Sequence, residues 1–421
     1  MLSLDRNHDT HSWPGFTSIE AWLHQINSDD EHAPYSSHLA MPYETPTKSK
    51  EATNLDPFKT PRATVQGGHF PPSSVDSSSD ISSRSSATRS GTVSPTKIES
   101  SLRRAGTFPL QRTSISTLKK TADASLKALL KDLGSYEQVR GVIPSGMRDR
   151  IEQLEDITNG PYPEWYTETT APQSVLESEY QRLAHISEKS VECMERLDYE
   201  AGWNDRVHSS LLEVALDTPA RAPFPDLFFR NITASLISSA VLQQDAVLKD
   251  TKVDYGIFIR PVGPDDELSI LIDDYIRANT FATMTHTTLP DKPKTPLAIS
   301  IETKSLSAKL NSGSAQLALW LRAQYQHLSQ FASAGGGGDS ASCALPIMPV
   351  ILVLGDEWRV HFARRTVDAL FIHESINIGS SHTLVGCYQI IAGLRRLALW
   401  ARSDYRDWWL RVLRPAPPPD S

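Results

Sequence analysis

Two β-type runs of the sequence constrain the fold more than any other feature. Residues 253–259, VDYGIFI, alternate so that Asp254 falls on the face opposite the aliphatic side chains. Residues 297–304, LAISIETK, alternate in the same way and place Glu302 and Lys304 on one face. Helical patterns flank both runs. This alternation predicts an α/β fold with a mixed central sheet of four or more strands flanked by helices.

Apolar spacing predicts the remaining elements of this region. A period near 3.6 indicates helices, and period-two alternation or short apolar runs indicate strands. The predicted helices cover residues 174–197, 200–216, 227–248 and 315–331, and a last one runs from 384 to about 409; the predicted strands cover 268–272, 350–354, 358–362 and 369–372.

The N-terminal part of the chain differs sharply in composition. Ten of the eighteen residues from 73 to 90 are serine, and such a segment cannot bury enough apolar surface to offset its ordering entropy. We therefore predict a disordered serine-rich region over 1–115. Its one helical apolar cluster, around Trp22, either folds on a protein partner or is unstructured. A helical connector over 116–171, a domain over 172–412 and a proline-rich tail over 413–421 complete the predicted organisation.

Composition limits the class of function. The chain has 421 residues and a formal net charge of −8, which argues against a DNA-binding surface spread over the whole protein but not against a local basic groove. Its three cysteines lack zinc spacing. No apolar run approaches the roughly 20 residues that span a bilayer, and the N-terminus lacks a secretory pattern. We expect an intracellular protein, nuclear or cytoplasmic, with no membrane partner.

The two β-type runs also carry candidate chemistry. If the two strands pair, Asp254 and Glu302 converge on one divalent cation, and their hard oxygen ligands suit Mg²⁺ or Mn²⁺. Lys304 is then placed to orient or deprotonate an attacking water. A glutamate and a lysine two residues apart are a weak signal alone. A salt-bridge cluster at a sheet edge, or a degenerate site that cuts nothing, remains an alternative.

The combination of these motifs resembles a known family. VDYGIFIRP, PLAISIETK, AQLALWLRAQYQHL and the later IGSSHTLVGCYQIIAGLRRLALW together resemble the PD-(D/E)XK nuclease-like domain of fungal proteins, over roughly 172–411. The upstream EAGWNDRVHSSLLEVAL is similar to that family as well. The resemblance implies a restriction-endonuclease-like core.

The resemblance also implies roles for individual residues. Asp254 would be the metal-binding aspartate, although Val253 replaces the proline of the family motif. Glu302 and Lys304 would be the (D/E)xK pair, and Glu200 the helix-borne acid that completes the site. Gln316 with Trp320 is similar to a substrate-binding QxxxY helix, with tryptophan in place of tyrosine.

The implied activity is Mg²⁺- or Mn²⁺-dependent hydrolysis of phosphodiester bonds in DNA, with RNA as the second choice of partner. The alternative is an inactive nuclease-like fold that binds nucleic acid or protein. Asn204 and His208 share a helix face with Glu200 and are expected to form structural hydrogen bonds. A set of basic residues either lines a phosphate path or forms a solvated surface: Lys309, Arg322, Arg364, Arg365, Arg395 and Arg396.

Overall fold

A computed structural model describes most of the chain from residue 94 onward. The described ranges are 94–105, 109–154, 160–216, 224–243, 248, 251–263, 265–279, 282–288, 294–307, 310–334 and 344–414. Most of the predicted serine-rich region, including the cluster around Trp22, lies outside them, as do Lys309 and most of the predicted tail.

A mixed eight-stranded sheet forms the centre of the fold. The strands run in the order β1-β9-β8-β7-β6-β5-β4, and β10 pairs with β8 beside β9. The β6–β7 and β1–β9 pairs are parallel and the others are antiparallel. The strands are β1 (Leu110–Thr113), β4 (Leu227–Asn231), β5 (Tyr255–Ile259), β6 (Leu297–Lys304), β7 (Met348–Leu354), β8 (Glu357–Arg365), β9 (Leu370–His373) and β10 (Ile376–Ser380); β2 (Ile143–Pro144) and β3 (Tyr166–Thr167) form a separate small sheet.

Helices surround the main sheet, and several short helical turns join them. The helices are α1 (Pro95–Arg103), α2 (Ile115–Thr121), α3 (Ala124–Glu137), α4 (Arg148–Glu152), α5 (Gln173–Glu195), α6 (Glu200–Trp203), α7 (Ser209–Leu216), α8 (Ser239–Leu242), α9 (Glu267–Ala278), α10 (Leu310–Ala334), α11 (Leu384–Trp400) and α12 (Arg406–Leu413). A π-helical turn, Asn204–His208, joins α6 to α7, and a second, Ala401–Tyr405, joins α11 to α12.

The central strands are buried because helices cover both of their faces. On one face, the Trp320 indole of α10 donates to the Ser300 hydroxyl at 2.9 Å. On the opposite face, His208 packs edge-on against Trp358 of β8. Strands that are covered on both sides need nearly continuous apolar sequence, which MPVILVL of β7 provides. The predicted α/β class and mixed sheet are confirmed.

Two predicted elements are wrong. Residues 227–248 do not form a helix: they contain strand β4, which pairs with β5 and stacks Phe228 on Phe258, and the single-turn helix α8. Residues 268–272 belong to helix α9 rather than to a strand. The Asp266 side chain accepts from the Ser269 amide and caps that helix, while the buried Leu268 and Ile272 are spaced by one turn. Short apolar runs fit the helical period and the strand period equally well, and contacts with the rest of the fold decide which element forms.

The folded region begins earlier than the sequence predicted. Strand β1 lies in the predicted serine-rich region, yet it pairs with β9 in the main sheet. The predicted connector is not separate from the domain either, because Leu129 and Leu133 of α3 belong to the same hydrophobic core as the sheet. At its start this connector forms two helices, α2 and α3. Among the described residues, no helix combines the length and apolarity that crossing a bilayer requires.

Candidate active site

Asp254 is fixed between the two strands that the sequence singled out. It directly precedes β5, and its amide donates to the Ile301 carbonyl of β6 at 3.1 Å. Its Oδ2 accepts from the Thr303 amide at 2.8 Å and from the Thr303 hydroxyl at 3.0 Å. The predicted pairing of the two strands is therefore confirmed, and it brings the Asp254 carboxylate alongside the end of β6.

Glu302 is a buried carboxylate with few compensating contacts. Its exposed fraction is 0%. The Lys304 ammonium lies 2.5 Å from Oε1, but neither oxygen of Glu302 meets the geometry of a hydrogen bond with any described residue. Buried carboxylates are usually paired and hydrogen-bonded, because desolvation of the charge is costly. The bare Oε2 is thus an unsatisfied acceptor in the interior.

Lys304 links Glu302 to a third acidic residue. Its Nζ donates to Glu200 Oε2 at 3.1 Å and to the Thr303 carbonyl at 2.8 Å, in addition to the contact with Glu302. An ammonium group has three donors, of which Glu200 and Thr303 engage two, while Glu302 is held as an ion pair. The structure therefore brings Glu200, at the start of α6, to the same cluster as the residues of β6.

Electrostatics within this cluster favour an additional positive charge. Burial raises the pKa of Glu302 well above its usual value, and the negative charge of Asp254 raises it further. Burial likewise raises the pKa of Asp254, and the charge of Glu200 adds to the effect. Burial alone would lower the pKa of Lys304, but Glu302 and Glu200 outweigh it and raise that pKa. Three carboxylates thus face one ammonium.

A hydrogen-bonded chain supports Asp254 from the opposite face of the sheet. His208 Nε2 lies 2.7 Å from the Gly355 carbonyl, which only accepts, and burial lowers the pKa of His208 to about 4. The neutral ring therefore has its proton on Nε2, and its Nδ1 lies 2.9 Å from Asn204 Oδ1. The Thr303 hydroxyl lies 2.8 Å from the same Asn204 Oδ1 and 3.0 Å from Asp254 Oδ2, so its single proton is shared between these two acceptors.

We expect Thr303→Val to reduce the cleavage activity predicted for this site roughly tenfold, since a hydrogen bond to a charged group is typically worth that much. Valine retains the volume of threonine and the backbone amide bond to Asp254, so only the hydroxyl is lost. Cleavage kinetics would measure the change. Thr285→Val is the matched control, because its buried hydroxyl contacts Thr287 instead. Equal rates for both variants would contradict a role for the chain.

Gly313 of α10 was not predicted, and it brings that helix close to the acidic pair. A Cβ at this position would lie 2.6 Å from Leu352 Cδ1, 3.3 Å from Lys304 Cγ and 3.7 Å from Glu302 Cγ. A side chain there would therefore press on the pair. The one sequence signal for this contact was a glycine within an otherwise helical pattern.

Gln316 and Trp320 of α10 have structural contacts. Gln316 Nε2 donates to the Lys252 carbonyl at 2.6 Å and so ties α10 to the segment that carries Asp254. Trp320 is fully buried, which makes it a core residue. The proposed contact between Gln316 and substrate stays a prediction.

The residues present fit a hard divalent cation. Asp254 and Glu302 supply carboxylate oxygens, and Glu302 Oε2 is buried without a hydrogen-bond partner among the described residues. Within the same part of the chain, no group of three or more His, Cys, Asp or Glu side chains has an arrangement that could hold a metal. Two protein carboxylates are a donor set typical of Mg²⁺, which keeps several of its waters.

Comparison with known proteins gives one match. The family model described as the PD-(D/E)XK nuclease superfamily matches residues 150–406. The matched range contains all five predicted site residues. No curated protein and no solved structure gives a significant match.

Proposed function

Because the chain belongs to the PD-(D/E)XK nuclease superfamily, we propose that it is a divalent-metal-dependent nuclease that hydrolyses phosphodiester bonds in DNA. Nucleases of this superfamily generally use divalent metals. One observation supports activity most strongly. Glu302 is wholly buried, its Oε2 has no partner among the described residues, and it lies beside Asp254 and Lys304. A purely structural ion pair with Lys304 would leave the buried Oε2 without a partner of its own.

Asp254 and Glu302 are the proposed ligands of Mg²⁺ or Mn²⁺, with Glu200 contributing directly or through water. When bound, the ion supplies Lewis-acid stabilisation of the charge that develops on the phosphate. Thr303 holds the Asp254 carboxylate in place through two hydrogen bonds. Gln316 anchors the preceding segment, and its contact with substrate is part of the proposal.

Lys304 has the proposed role of orienting the attacking water. In the structure its ammonium is held by Glu302 and Glu200, whose negative charges raise its pKa. Once another positive charge neutralises Glu302, this stabilisation of the protonated form weakens. Nζ can then donate to the attacking water, or accept its proton, more readily.

Cleavage of plasmid and of single-stranded DNA in the presence and absence of Mg²⁺ tests the proposal. We expect cutting that requires the metal and that chelation abolishes. RNA of the same sequence would be a poorer substrate. The absence of cutting together with DNA or protein binding would instead favour an inactive binding module.

We expect the affinity for Mn²⁺ to decline on acidification well before ordinary carboxyl groups titrate. Burial and the charge of Asp254 raise the pKa of Glu302, so protons compete with the cation at a higher pH than usual. At pH values below that raised pKa, the affinity for Mn²⁺ should fall about tenfold per pH unit for each proton that the cation must displace. Calorimetric titration across a pH series would measure this. An affinity that stays constant down to the usual range of glutamate would contradict the account.

A further inference from the structure

A cavity of about 590 Å³ lies between α1 and the edge of the main sheet. Its lining includes three arginines and two histidines from four different elements: Arg103 of α1, Arg112 of β1, Arg359 and His361 of β8, and His373 of β9. We refer to it as the arginine cavity. None of these arginines belongs to the set that the sequence indicated as a phosphate path.

The arginine cavity opens on the same face of the sheet as Glu302. Glu302 pairs with Leu352, and Leu352 pairs with Arg359. Laterally paired residues project to the same face, so Arg359 is on the side of Glu302 and two strands away. At about 4.8 Å between strands, the separation is roughly 10 Å.

Helix α10 provides a continuous border between the two places. Gly313 lies against Glu302 and Lys304, and the next residue, Ser314, lines the arginine cavity. On the far side, Ala363 of β8 pairs with Ile372 of β9, and Ile372 pairs with Arg112. The same face thus extends from the acidic cluster to the arginines.

The arginines keep donors beyond those that their acidic partners use. Arg103 and Arg112 share Glu99 at 3.0 and 3.4 Å. Arg359 contacts Glu357 through Nε and Nη2. Each guanidinium has five N–H donors, and the contacts with these glutamates engage at most two of them. The lining holds these three guanidinium groups and two carboxylates, Glu99 and Glu374, while Glu357 pairs with Arg359 from outside it.

The two histidines complete the lining with ring nitrogens. His361 Nδ1 donates to the His373 carbonyl at 3.0 Å, and His373 Nδ1 donates to the Ser114 carbonyl at 3.2 Å. Each neutral ring is therefore left with a bare Nε2, and that of His373 is buried without a hydrogen-bond partner among the described residues. A cation at this place would meet three guanidinium groups. An anion would be attracted by them and would favour protonation of the rings, which would then donate to it.

We propose that the arginine cavity binds a backbone phosphate of the nucleic-acid strand whose scissile phosphate lies at Glu302 and Lys304. This inference rests on the proposed nuclease function. A strand advances about 3.4 Å along its axis per nucleotide, so a separation of about 10 Å places this phosphate within a few nucleotides of the point of cleavage. Guanidinium groups suit this ligand, since their N–H groups match phosphate oxygens in pairs.

The test compares full-length wild type, Arg359→Ala and Arg112→Ala on a graded series of DNA strands, from a dinucleotide upward. On strands long enough to reach the cavity, each variant should raise KM roughly tenfold and leave kcat near the wild-type value. On the dinucleotide, variants and wild type should be equal. DNA binding is also measured at a series of salt concentrations, in chelator. The slope of the logarithm of the binding constant against the logarithm of the salt concentration should decrease in magnitude by about one for each arginine removed.

Arg277→Ala is the matched control, because Arg277 is an exposed arginine that pairs with Asp274 on α9. Thermal melting verifies that every variant is folded. If the wild type cleaves DNA and both Arg359→Ala and Arg112→Ala behave like the control, the phosphate subsite alone is overturned. A wild type that cleaves no strand would overturn the nuclease function, and the subsite with it.

Discussion

Replacement of Lys304 by alanine is expected to lower the rate of DNA cleavage by a factor on the order of 10²–10³ without unfolding the protein. The ammonium lies at the centre of the acidic cluster, where it contacts Glu302 and Glu200. Without it, the attacking water loses its orienting group, and two carboxylates lose the charge that offsets them. Single-turnover kinetics at saturating Mg²⁺ would measure the loss.

A matched lysine separates this effect from a general loss of charge. Lys189 also forms an ion pair, with Glu192 at 2.9 Å, but on α5. We expect Lys189→Ala to cleave at the wild-type rate. Cleavage by Lys304→Ala at that same rate would show that Lys304 has no part in the reaction.

Removal of the Glu179 side chain is expected to destabilise the fold by about 3 kcal/mol, the lower end of the range for breaking a buried ion pair. Glu179 of α5 is buried, and both of its oxygens accept from Arg395 of α11, at 2.5 and 3.5 Å. Truncation leaves the guanidinium without this partner, although Arg395 retains some exposure. Denaturant unfolding of Glu179→Ala would give the change in the free energy of unfolding.

Two further variants make this measurement informative. Replacing both partners with apolar residues, Glu179→Leu with Arg395→Met, should recover most of the lost stability, because no unpaired charge is left. Glu179→Ala is expected to lose stability, whereas Glu302→Gln should lose cleavage and change little in stability. Equal loss of stability in Glu179→Ala and Glu302→Gln would mean that Glu302 is as structural as Glu179.

The candidate site could be predicted from the sequence because its residues lie on regular strands. The two-residue period of β6 alone determines that Glu302 and Lys304 share a face. The apolar alternation of residues 253–259 correctly indicated a neighbouring strand, and the pairing of that strand with β6 brings Asp254 to the site. Glu200 depended on the resemblance to the nuclease family, since nothing local connects it with Lys304, 104 residues away.

The supporting contacts could not be predicted because long-range packing creates them. Arg112 enters the arginine cavity through the pairing of β1 with β9, which joins residues about 260 positions apart. Conversely, the sequence made Arg395 and Arg396 candidates for a surface that binds phosphate. In the structure they form ion pairs with Glu179 and Asp132. The charge of a side chain is evident in a sequence, whereas its partner depends on the fold.

The position of a bound cation tests the central claim most directly. A crystal of the wild type soaked in Mn²⁺ should show an anomalous peak within about 2.5 Å of carboxylate oxygens of both Asp254 and Glu302. Crystals of Glu302→Gln soaked in the same way should lack it. A peak that contacts neither residue, or no peak in wild-type crystals at saturating Mn²⁺, would contradict the assignment of these residues as metal ligands.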